Sequence, residues 1–199
     1  KSFDYHVYMF IIKKNYYFII ESIKDIDLKK LKNFSKINIV YRYKNIEDIE
    51  KLKKFRKDCL NKNIKFIISN NIKLMILLKA DGLYISAHNK NLNIIKYKHL
   101  NYKIIGGAHN IHEIKLKKQQ GCSEIFVSRL FTTNYLHKKS FLGVIKFNIL
   151  KNSRNENLVP LGGINLKNLN KLNIVNCNSI SMSSLVKNNL LEAMKHFYW

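Results

Sequence analysis

The sequence predicts a (β/α)8 barrel, in which eight parallel strands alternate with helical segments and close into a ring. Short apolar runs of strand character alternate with amphipathic segments along the whole chain, an order that favours a parallel sheet. A dinucleotide-binding open sheet carries a G-x-G-x-x-G pattern after its first strand. No such pattern follows the first predicted strand of this chain. An open doubly wound sheet is the alternative arrangement of these elements, and the number of strands favours the barrel.

The predicted strands are short and rich in β-branched and aromatic residues. In chain order they are Tyr17–Glu21, Ile37–Tyr43, Lys65–Ser69, Gly82–Ser86, Lys103–Gly106, Glu124–Leu130, Leu158–Leu161 and Ser179–Met182. The helical segments are Leu28–Phe34, Ile46–Asn61, Ile72–Leu78, a weaker segment to His99, Ile111–Gln120, a helix near Phe141–Leu150, Leu166–Leu172 and Leu190–Phe197. No linker rich in proline or glycine interrupts them, so residues 1–199 are predicted to form one domain. Residues 1–16 are predicted to be an N-terminal extension or an extra helix.

The composition is that of a folded, basic protein. Of the 199 residues, 46% are hydrophobic and the formal net charge is +23, a field that attracts polyanions. The basic residues are spread along the whole chain and no zinc-finger, helix-turn-helix or RNP-like pattern is found, so nucleic-acid binding is not the expected function. The abundance of Asn, Ile and Lys is typical of an A/T-rich coding sequence.

The cysteines and the hydropathy pattern predict a cytoplasmic protein. Three cysteines without a close pair fit neither a disulfide framework nor a thiolate metal site, and they favour a reducing compartment. No run reaches the roughly 18 apolar residues that span a bilayer, and no cleavage site follows an uninterrupted apolar core.

Two turns near the end of the chain predict a phosphate site. Gly162 and Gly163 follow the seventh predicted strand, and Ser183 and Ser184 follow the eighth. Without side chains, the glycines let backbone N–H groups approach an anion closely, and the serines stand where a helix would begin, with its positive dipole end. The two turns would form one phosphate-binding cup at the C-terminal ends of the strands. The alternative is a tight turn that needed two glycines.

Other strand ends also carry polar residues. Arg42 and Lys44 are two residues apart, so a strand points both side chains to one face. Two cations on one face suggest a second site for a phosphate-type anion. The alternative is a pair of solvated basic residues at a strand end. His109 follows the fifth strand beside glycines, where a histidine can transfer protons near neutral pH. The remaining candidates at strand ends are Ser69, Asn70, Asn71, Ser86, His88, Asn89, Ser128, Thr132 and Thr133.

The order of these motifs resembles the thiamine phosphate synthase/TenI family, whose members are (β/α)8 barrels. The resemblance runs from about Ile37 to Val186. The motifs that carry it are Tyr41-Arg42-Tyr43-Lys44, Ile68–Ser86 with Lys79-Ala80-Asp81-Gly82-Leu83, Ile105-Gly106-Gly107-Ala108-His109, Phe126–Thr133 and Gly162–Val186. Each motif is weak alone, and their ordered set is fairly specific.

The resemblance implies a role for each candidate. The glycine pair and the serine pair would hold the phosphate of thiazole phosphate, and Arg42 and Lys44 would clamp the pyrophosphate of the pyrimidine substrate. Thr133 matches a threonine that lines the substrate site, and Ser69 replaces an asparagine beside the first metal ligand and is expected to contact substrate. His109 matches the proton-transfer histidine of TenI-type thiazole tautomerases, once a one-residue gap before it is allowed.

The sequence departs from the family pattern at the metal site. The synthase holds Mg²⁺ with two aspartates, whose positions are occupied here by Asn70 and Asn89. An amide oxygen brings no negative charge, and hard divalent cations depend on carboxylates. We therefore expect weakened Mg²⁺ binding and impaired synthase turnover.

Three functions remain open at this point. The first is a family enzyme that acts on phosphorylated thiazole and pyrimidine ligands, either as a synthase or as a tautomerase using His109. The second is a non-catalytic barrel that binds a phosphorylated ligand, and the third is a basic protein associated with nucleic acid. A homodimer is compatible with each of them.

Overall fold

The computed structural model describes residues 14–31, 36–133 and 140–195, and the eight strands within them form a closed parallel barrel in sequence order. The strands are β1 (Asn15–Ile20), β2 (Ile37–Tyr41), β3 (Lys65–Ser69), β4 (Gly82–Ile85), β5 (Lys103–Ala108), β6 (Glu124–Ser128), β7 (Leu158–Leu161) and β8 (Ser179–Met182). The barrel closes where β1 pairs with β8, with Asn15 opposite Ser179 and Phe18 opposite Met182. The predicted (β/α)8 barrel is confirmed.

Helical segments follow the strands. The α-helices are α1 (Ile49–Asn61), α2 (Ile72–Leu77), α3 (Ile95–His99), α4 (Ile111–Gln119), α5 (Gly143–Asn152) and α6 (Ser184–Lys195). Shorter or tighter 3-10 segments are Ile23–Asp25, Leu28–Lys30, Leu92–Ile94 and Leu166–Ile174. Side chains cap most of them: Asp48, for example, accepts a hydrogen bond from the N–H of Lys51 at 3.0 Å at the start of α1, which satisfies a donor that the helix cannot.

Several predicted boundaries are wrong. Of the predicted helix Leu28–Phe34, residues 28–31 are described, and they contain a 3-10 turn, Leu28–Lys30, capped by the side chain of Asp27. Another 3-10 turn, Ile23–Asp25, comes before it, is capped by Ser22 and is followed by extended backbone at Ile26. The amphipathic segment after β7 is a 3-10 helix, because its asparagine side chains bond locally to the backbone. The last helix begins at Ser184, six residues before the predicted start. Of the predicted N-terminal extension, Lys14 precedes β1, Asn15 and Tyr16 belong to it, and residues 1–13 lie outside the described residues.

The barrel wall separates two apolar layers. Alternate side chains point inward and fill the barrel interior: Tyr17, Ile19, Val40, Ile67, Tyr84, Ile105, Phe126, Val159 and Leu161. Their neighbours, such as Phe18 and Ile39, point outward and pack under the helices. Both faces of each strand are therefore buried, which explains why the strands are nearly continuous apolar runs. Burying each such side chain is worth about 1.5–3 kcal/mol.

A polar network crosses the N-terminal end of the barrel. The buried Glu124 carboxylate accepts hydrogen bonds from Tyr17 and from Ser179, the latter at 2.6 Å, and pairs with Lys103 at 2.6 Å. These residues come from β6, β1, β8 and β5. Their contacts link the seam of the barrel to the opposite wall.

Asp81 joins two adjacent strands next to α1. Its carboxylate accepts the N–H of Phe66 at 2.7 Å and pairs with Arg56 of α1 at 2.9 Å. Asp81 belongs to the motif Lys79-Ala80-Asp81-Gly82-Leu83, and these contacts give it a structural role.

The three cysteines are not paired with one another. Cys59, Cys122 and Cys177 are free thiols, and burial raises the pKa of Cys59 and of Cys122 to about 12, so both are inert as nucleophiles. In the described part of the chain, no helix is long and apolar enough to cross a bilayer.

Candidate functional site

The predicted phosphate-binding turns emerge from neighbouring strands. β7 pairs with β8 through Leu161 and Ser181. Gly162 follows Leu161 directly, and Ser183 lies two residues after Ser181. The glycine turn and the serine turn therefore leave the same end of the barrel side by side.

The serine turn opens a helix. The carbonyl of Ser183 accepts hydrogen bonds from the N–H of Val186 at 3.1 Å and of Lys187 at 3.4 Å, which start α6. The first N–H groups of a helix, here beginning at Ser184, have no partner inside the helix and point outward at its positive end. That arrangement suits an anion.

The glycine turn needs both glycines for its backbone. Gly162 has φ +95° and Gly163 has φ +72°, conformations that side chains disfavour. A Cβ atom on Gly163 would lie 2.4 Å from the carbonyl oxygens of Phe131 and Thr132. The tight-turn interpretation thus accounts for both glycines without a ligand, and the phosphate role of the turn stays a prediction.

Arg129 is a residue of this region that the sequence interpretation missed. Its guanidinium donates to the hydroxyl of Thr133 at 2.9 Å and to the carbonyl of Ser140 at 2.9 Å, and its side chain packs against Gly162. It therefore positions Thr133, the predicted substrate residue, beside the glycine turn. The sixth strand was predicted to extend to Leu130, which put Arg129 inside it. The strand ends at Ser128, so Arg129 lies in the loop that follows.

The predicted cation pair has an internal counterion. Arg42 and Lys44 lie 4.0 and 3.7 Å from the carboxylate of Glu21, and Lys187 of α6 lies 2.8 Å from it. The hydrogen bond from Lys187 lowers the pKa of Glu21 and in turn raises the pKa of Lys187. Glu21 was predicted to end the first strand, and its role as a counterion was not predicted. The available signal was an acidic residue directly after a run of five aromatic and aliphatic residues.

His109 lies where the sequence places it, directly after β5. Its Nδ1 is 3.1 Å from a carboxylate oxygen of Glu113, which also accepts the backbone N–H of His109 at 2.6 Å. Burial alone would raise the pKa of Glu113. The two hydrogen bonds from His109 and the charge of the nearby His109 and His88 imidazoles outweigh it, so the pKa of Glu113 is lowered. A carboxylate that orients an imidazole is a recurrent arrangement for proton transfer. The ring of His88, from the loop after β4, lies 6.4 Å from that of His109 between centroids.

The predicted metal positions do not fit Mg²⁺. The side-chain oxygen of Asn70 accepts the N–H of Ser86 at 3.0 Å, and that of Asn89 accepts the N–H of Asn91 at 3.0 Å. Both oxygens are thus engaged with backbone and carry no formal charge, whereas Mg²⁺ binding depends on carboxylates. Ser69 is buried and its hydroxyl accepts a weak hydrogen bond from Asn70 at 3.4 Å. No cluster of three His, Cys, Asp or Glu suited to a metal occurs in the part of the chain that the structure describes.

Two buried polar side chains, Lys117 and Gln120, form hydrogen bonds with the backbone of the loop after β4. Lys117 of α4 donates to the carbonyl of Asn89 at 2.7 Å and to the side chain of Gln120 at 2.9 Å. Gln120 donates to the carbonyls of Asn89 and Asn91, each at 3.0 Å. Burial lowers the pKa of Lys117. These bonds hold the backbone that carries His88 and Asn89.

Comparison with known proteins identifies the relatives of this barrel. A family model described as thiamine monophosphate synthase matches residues 17–186. A thiamine-phosphate synthase of Methanococcus vannielii is 25% identical over 142 residues, which are 70% of this chain and 68% of that protein. One from Clostridium perfringens (strain SM101) is 28% identical over 165 residues, or 80% of each chain.

A solved structure shows the same fold. The thiamine phosphate pyrophosphorylase from Pyrococcus furiosus superposes with a TM-score of 0.74 over 95% of each chain. The sequence identity in that superposition is 16%, so the likeness concerns the fold.

Proposed function

Because the chain belongs to the thiamine monophosphate synthase family, we propose that it binds thiazole phosphate in the cup formed by the glycine and serine turns. The observation that carries this proposal is the pairing of Leu161 with Ser181, since it sets both turns side by side at the C-terminal end of the barrel. Phosphate sites commonly lie beyond strands seven and eight of such barrels. Backbone N–H groups and the start of α6 would hold the phosphate oxygens.

We extend the proposal to the pyrimidine pyrophosphate and the condensation that yields thiamine phosphate. Arg42 and Lys44 would bind its pyrophosphate. Thr133, held by Arg129, and Ser69 would line the space between the two ligands. Synthase chemistry ionises a carbon–pyrophosphate bond, so positive groups at the leaving group stabilise the developing charge. Since the amides of Asn70 and Asn89 do not fit Mg²⁺, no step here is assigned to a metal, and turnover is expected to be slow.

A variant of the serine turn tests ligand binding. In Ser184→Asp, a carboxylate at the start of α6 suits the helix dipole but repels a phosphate in the cup. We expect the folded state to keep its melting temperature while the stabilisation by thiazole phosphate disappears in a thermal-shift titration. Ser153→Asp, after the C-terminal end of α5, introduces the same charge at the opposite end of the barrel and should leave the ligand response unchanged.

Equal responses of Ser184→Asp, Ser153→Asp and the parent would place the ligand elsewhere. A parent protein that shows no response to thiazole phosphate would contradict the proposed function itself.

Proton transfer at a thiazole phosphate is the second candidate reaction. The contact of His109 with Glu113 at 3.1 Å favours it, because a carboxylate fixes the imidazole tautomer and stabilises its charged form. His109→Ala should abolish tautomerase turnover and keep thiazole phosphate affinity. Glu113→Gln should lower the rate constant with little effect on binding.

Two outcomes would contradict the enzymatic proposals. A parent protein that binds thiazole phosphate without synthase or tautomerase turnover is a non-catalytic binder. Binding to nucleic acid that falls steeply with salt, with no response to thiazole phosphate, would favour a basic nucleic-acid-associated protein.

A further inference from the structure

Arg42, Lys44 and Lys187 surround the carboxylate of Glu21. We infer that Lys187 binds the ligand pyrophosphate together with Arg42 and Lys44, and that Glu21 competes with this pyrophosphate for the three cations and is displaced by it. This inference rests on the proposed function, since it concerns how the second ligand of the same site is bound. Neither residue carries a role implied by the family resemblance.

The geometry around Glu21 is that of a bound anion. One oxygen of its carboxylate faces Arg42 at 4.0 Å, and the other faces Lys44 at 3.7 Å and Lys187 at 2.8 Å. The cations come from the loop after β2 and from α6, so they belong to different parts of the fold and converge on this one group. Glu21 itself follows β1, between these two elements in the closed ring.

The cluster keeps an excess of positive charge. Besides Glu21, the only carboxylate that forms an ion pair with one of the three cations among the described residues is Asp25, which lies 3.7 Å from Lys187. Asp25 is also occupied by the backbone N–H groups of Glu21 and Ser22, at 2.8 and 3.1 Å. Three cations therefore face two carboxylates, and withdrawal of the Glu21 side chain leaves them facing one.

Solvent reaches the Glu21 cluster. Its side chain is 29% exposed, and the side chains of Arg42 and Lys44 are 42% and 82% exposed, so the ion pairs are weakly held in solvent. A pyrophosphate brings several negative charges and more acceptor oxygens than a carboxylate, and charge-assisted hydrogen bonds to phosphate are among the stronger ones. It would therefore replace Glu21 on the same three cations.

Lys187 also connects the two proposed ligand sites. It lies on α6 one turn after Ser184, the start of the helix whose N-terminus faces the proposed thiazole phosphate. A pyrophosphate on Lys187, Arg42 and Lys44 would thus lie next to the phosphate cup, as two ligands of one reaction require.

Calorimetric titration with inorganic pyrophosphate at fixed ionic strength tests the inference. Glu21→Gln removes the competing charge and should bind pyrophosphate about fivefold tighter than the parent, as expected for loss of one partly exposed charge contact. Lys187→Met should bind it about fivefold more weakly, and Lys187→Arg should retain the parent affinity. Glu21→Asp, whose carboxylate is one methylene shorter, should lie between the parent and Glu21→Gln.

Matched variants control for net charge. Asp58→Asn, on the exposed side of α1, changes the charge as Glu21→Gln does. Lys118→Met changes it as Lys187→Met does, and Lys118 is likewise paired with a carboxylate, Glu156, at 3.4 Å. Both controls should keep the parent affinity for pyrophosphate within about twofold.

The outcomes separate the inference from the proposed function. If Glu21→Gln binds pyrophosphate no better than Asp58→Asn, or if Lys187→Met binds it as well as Lys118→Met, the inference is wrong. The absence of any pyrophosphate binding by the parent and by Glu21→Gln also overturns it. Thiazole phosphate binding, measured on the same proteins, decides the proposed function independently.

Discussion

Glu124→Gln should destabilise the barrel, because it removes the charge at the centre of the network at the N-terminal end. The Glu124 carboxylate is 6% exposed and accepts from Tyr17, Ser179 and Lys103. The amide keeps one acceptor oxygen, but Lys103 loses its counterion and one hydroxyl partner loses its acceptor. Both consequences leave polar groups poorly compensated in a nearly dry environment.

The expected loss of stability is about 3 kcal/mol. Breaking a buried ion pair by removing one partner costs about 3–5 kcal/mol, and the lower end applies because the Lys103 side chain is 28% exposed. With a urea m value of about 2–3 kcal/mol per molar, the unfolding midpoint should fall by roughly 1 M. Urea titration followed by circular dichroism measures both quantities, and an unchanged m value would show that the loss is one of native stability.

The stability lost in Glu124→Gln should decrease as the pH is lowered. Burial alone would raise the pKa of Glu124, but the charge of Lys103 and the hydrogen bonds from Lys103, Ser179 and Tyr17 lower it. A lowered native pKa means that the stabilisation is complete above the unfolded pKa of about 4.3 and disappears as the pH falls through the native value. The difference between parent and Glu124→Gln should therefore be constant at neutral pH and shrink below about pH 4.

Two results would refute this reasoning. A midpoint within about 0.2 M of the parent would show that the network contributes little. A double variant, Glu124→Gln with Lys103→Met, should recover part of the loss, because it removes the uncompensated cation. Full additivity of the two single changes would mean that the residues do not interact.

Three further predictions concern other parts of the barrel. Gly143→Ala should cost about 1–2 kcal/mol because its φ is +71°, whereas Gly163→Ala should cost more in the same urea assay, since its Cβ would also meet two carbonyl oxygens at 2.4 Å. Asp81→Asn should lose about 3 kcal/mol, the lower end for removing one partner of a buried ion pair, by taking the counterion from Arg56, and equal stability to the parent would exclude that role. Calorimetric titration of Mg²⁺ into the protein should show no micromolar binding; micromolar Mg²⁺ binding with pyrophosphate present, beyond the Mg²⁺ bound by pyrophosphate alone in a blank titration, would refute the expected weakness of the metal site.

The barrel was predictable because its strands carry their own signal. Strands buried on both faces must be almost wholly apolar, and runs such as Ile37–Tyr41 and Lys65–Ser69 stand out against the polar helical segments. The segment after β1 was mispredicted because its structure depends on single capping contacts of Ser22 and Asp27, each of which starts a turn of three residues. Periodicity does not record such contacts.

The site was predictable only where position along a strand determines it. His109 and the two turns follow strand ends, so a correct strand assignment brings them to one end of the barrel. Glu21 was missed because its role depends on a partner far along the chain, Lys187. Arg129 was missed because the predicted sixth strand extended past Ser128, where the strand ends. The bond from Ser86 to the side chain of Asn70 is likewise a tertiary contact, and no local pattern predicts it.

Under the proposed function, protein cations would neutralise part of the pyrophosphate charge that Mg²⁺ neutralises in the family pattern. In the family pattern, two aspartates hold a Mg²⁺ ion that neutralises the leaving pyrophosphate. Here those positions are Asn70 and Asn89, whose amide oxygens bind backbone N–H groups. Replacing two carboxylates by amides also removes two charges that would repel pyrophosphate, so protein cations can act on it directly. Under the proposed function, the three cations around Glu21 would supply positive charge that the two aspartates and their metal supply in the family pattern.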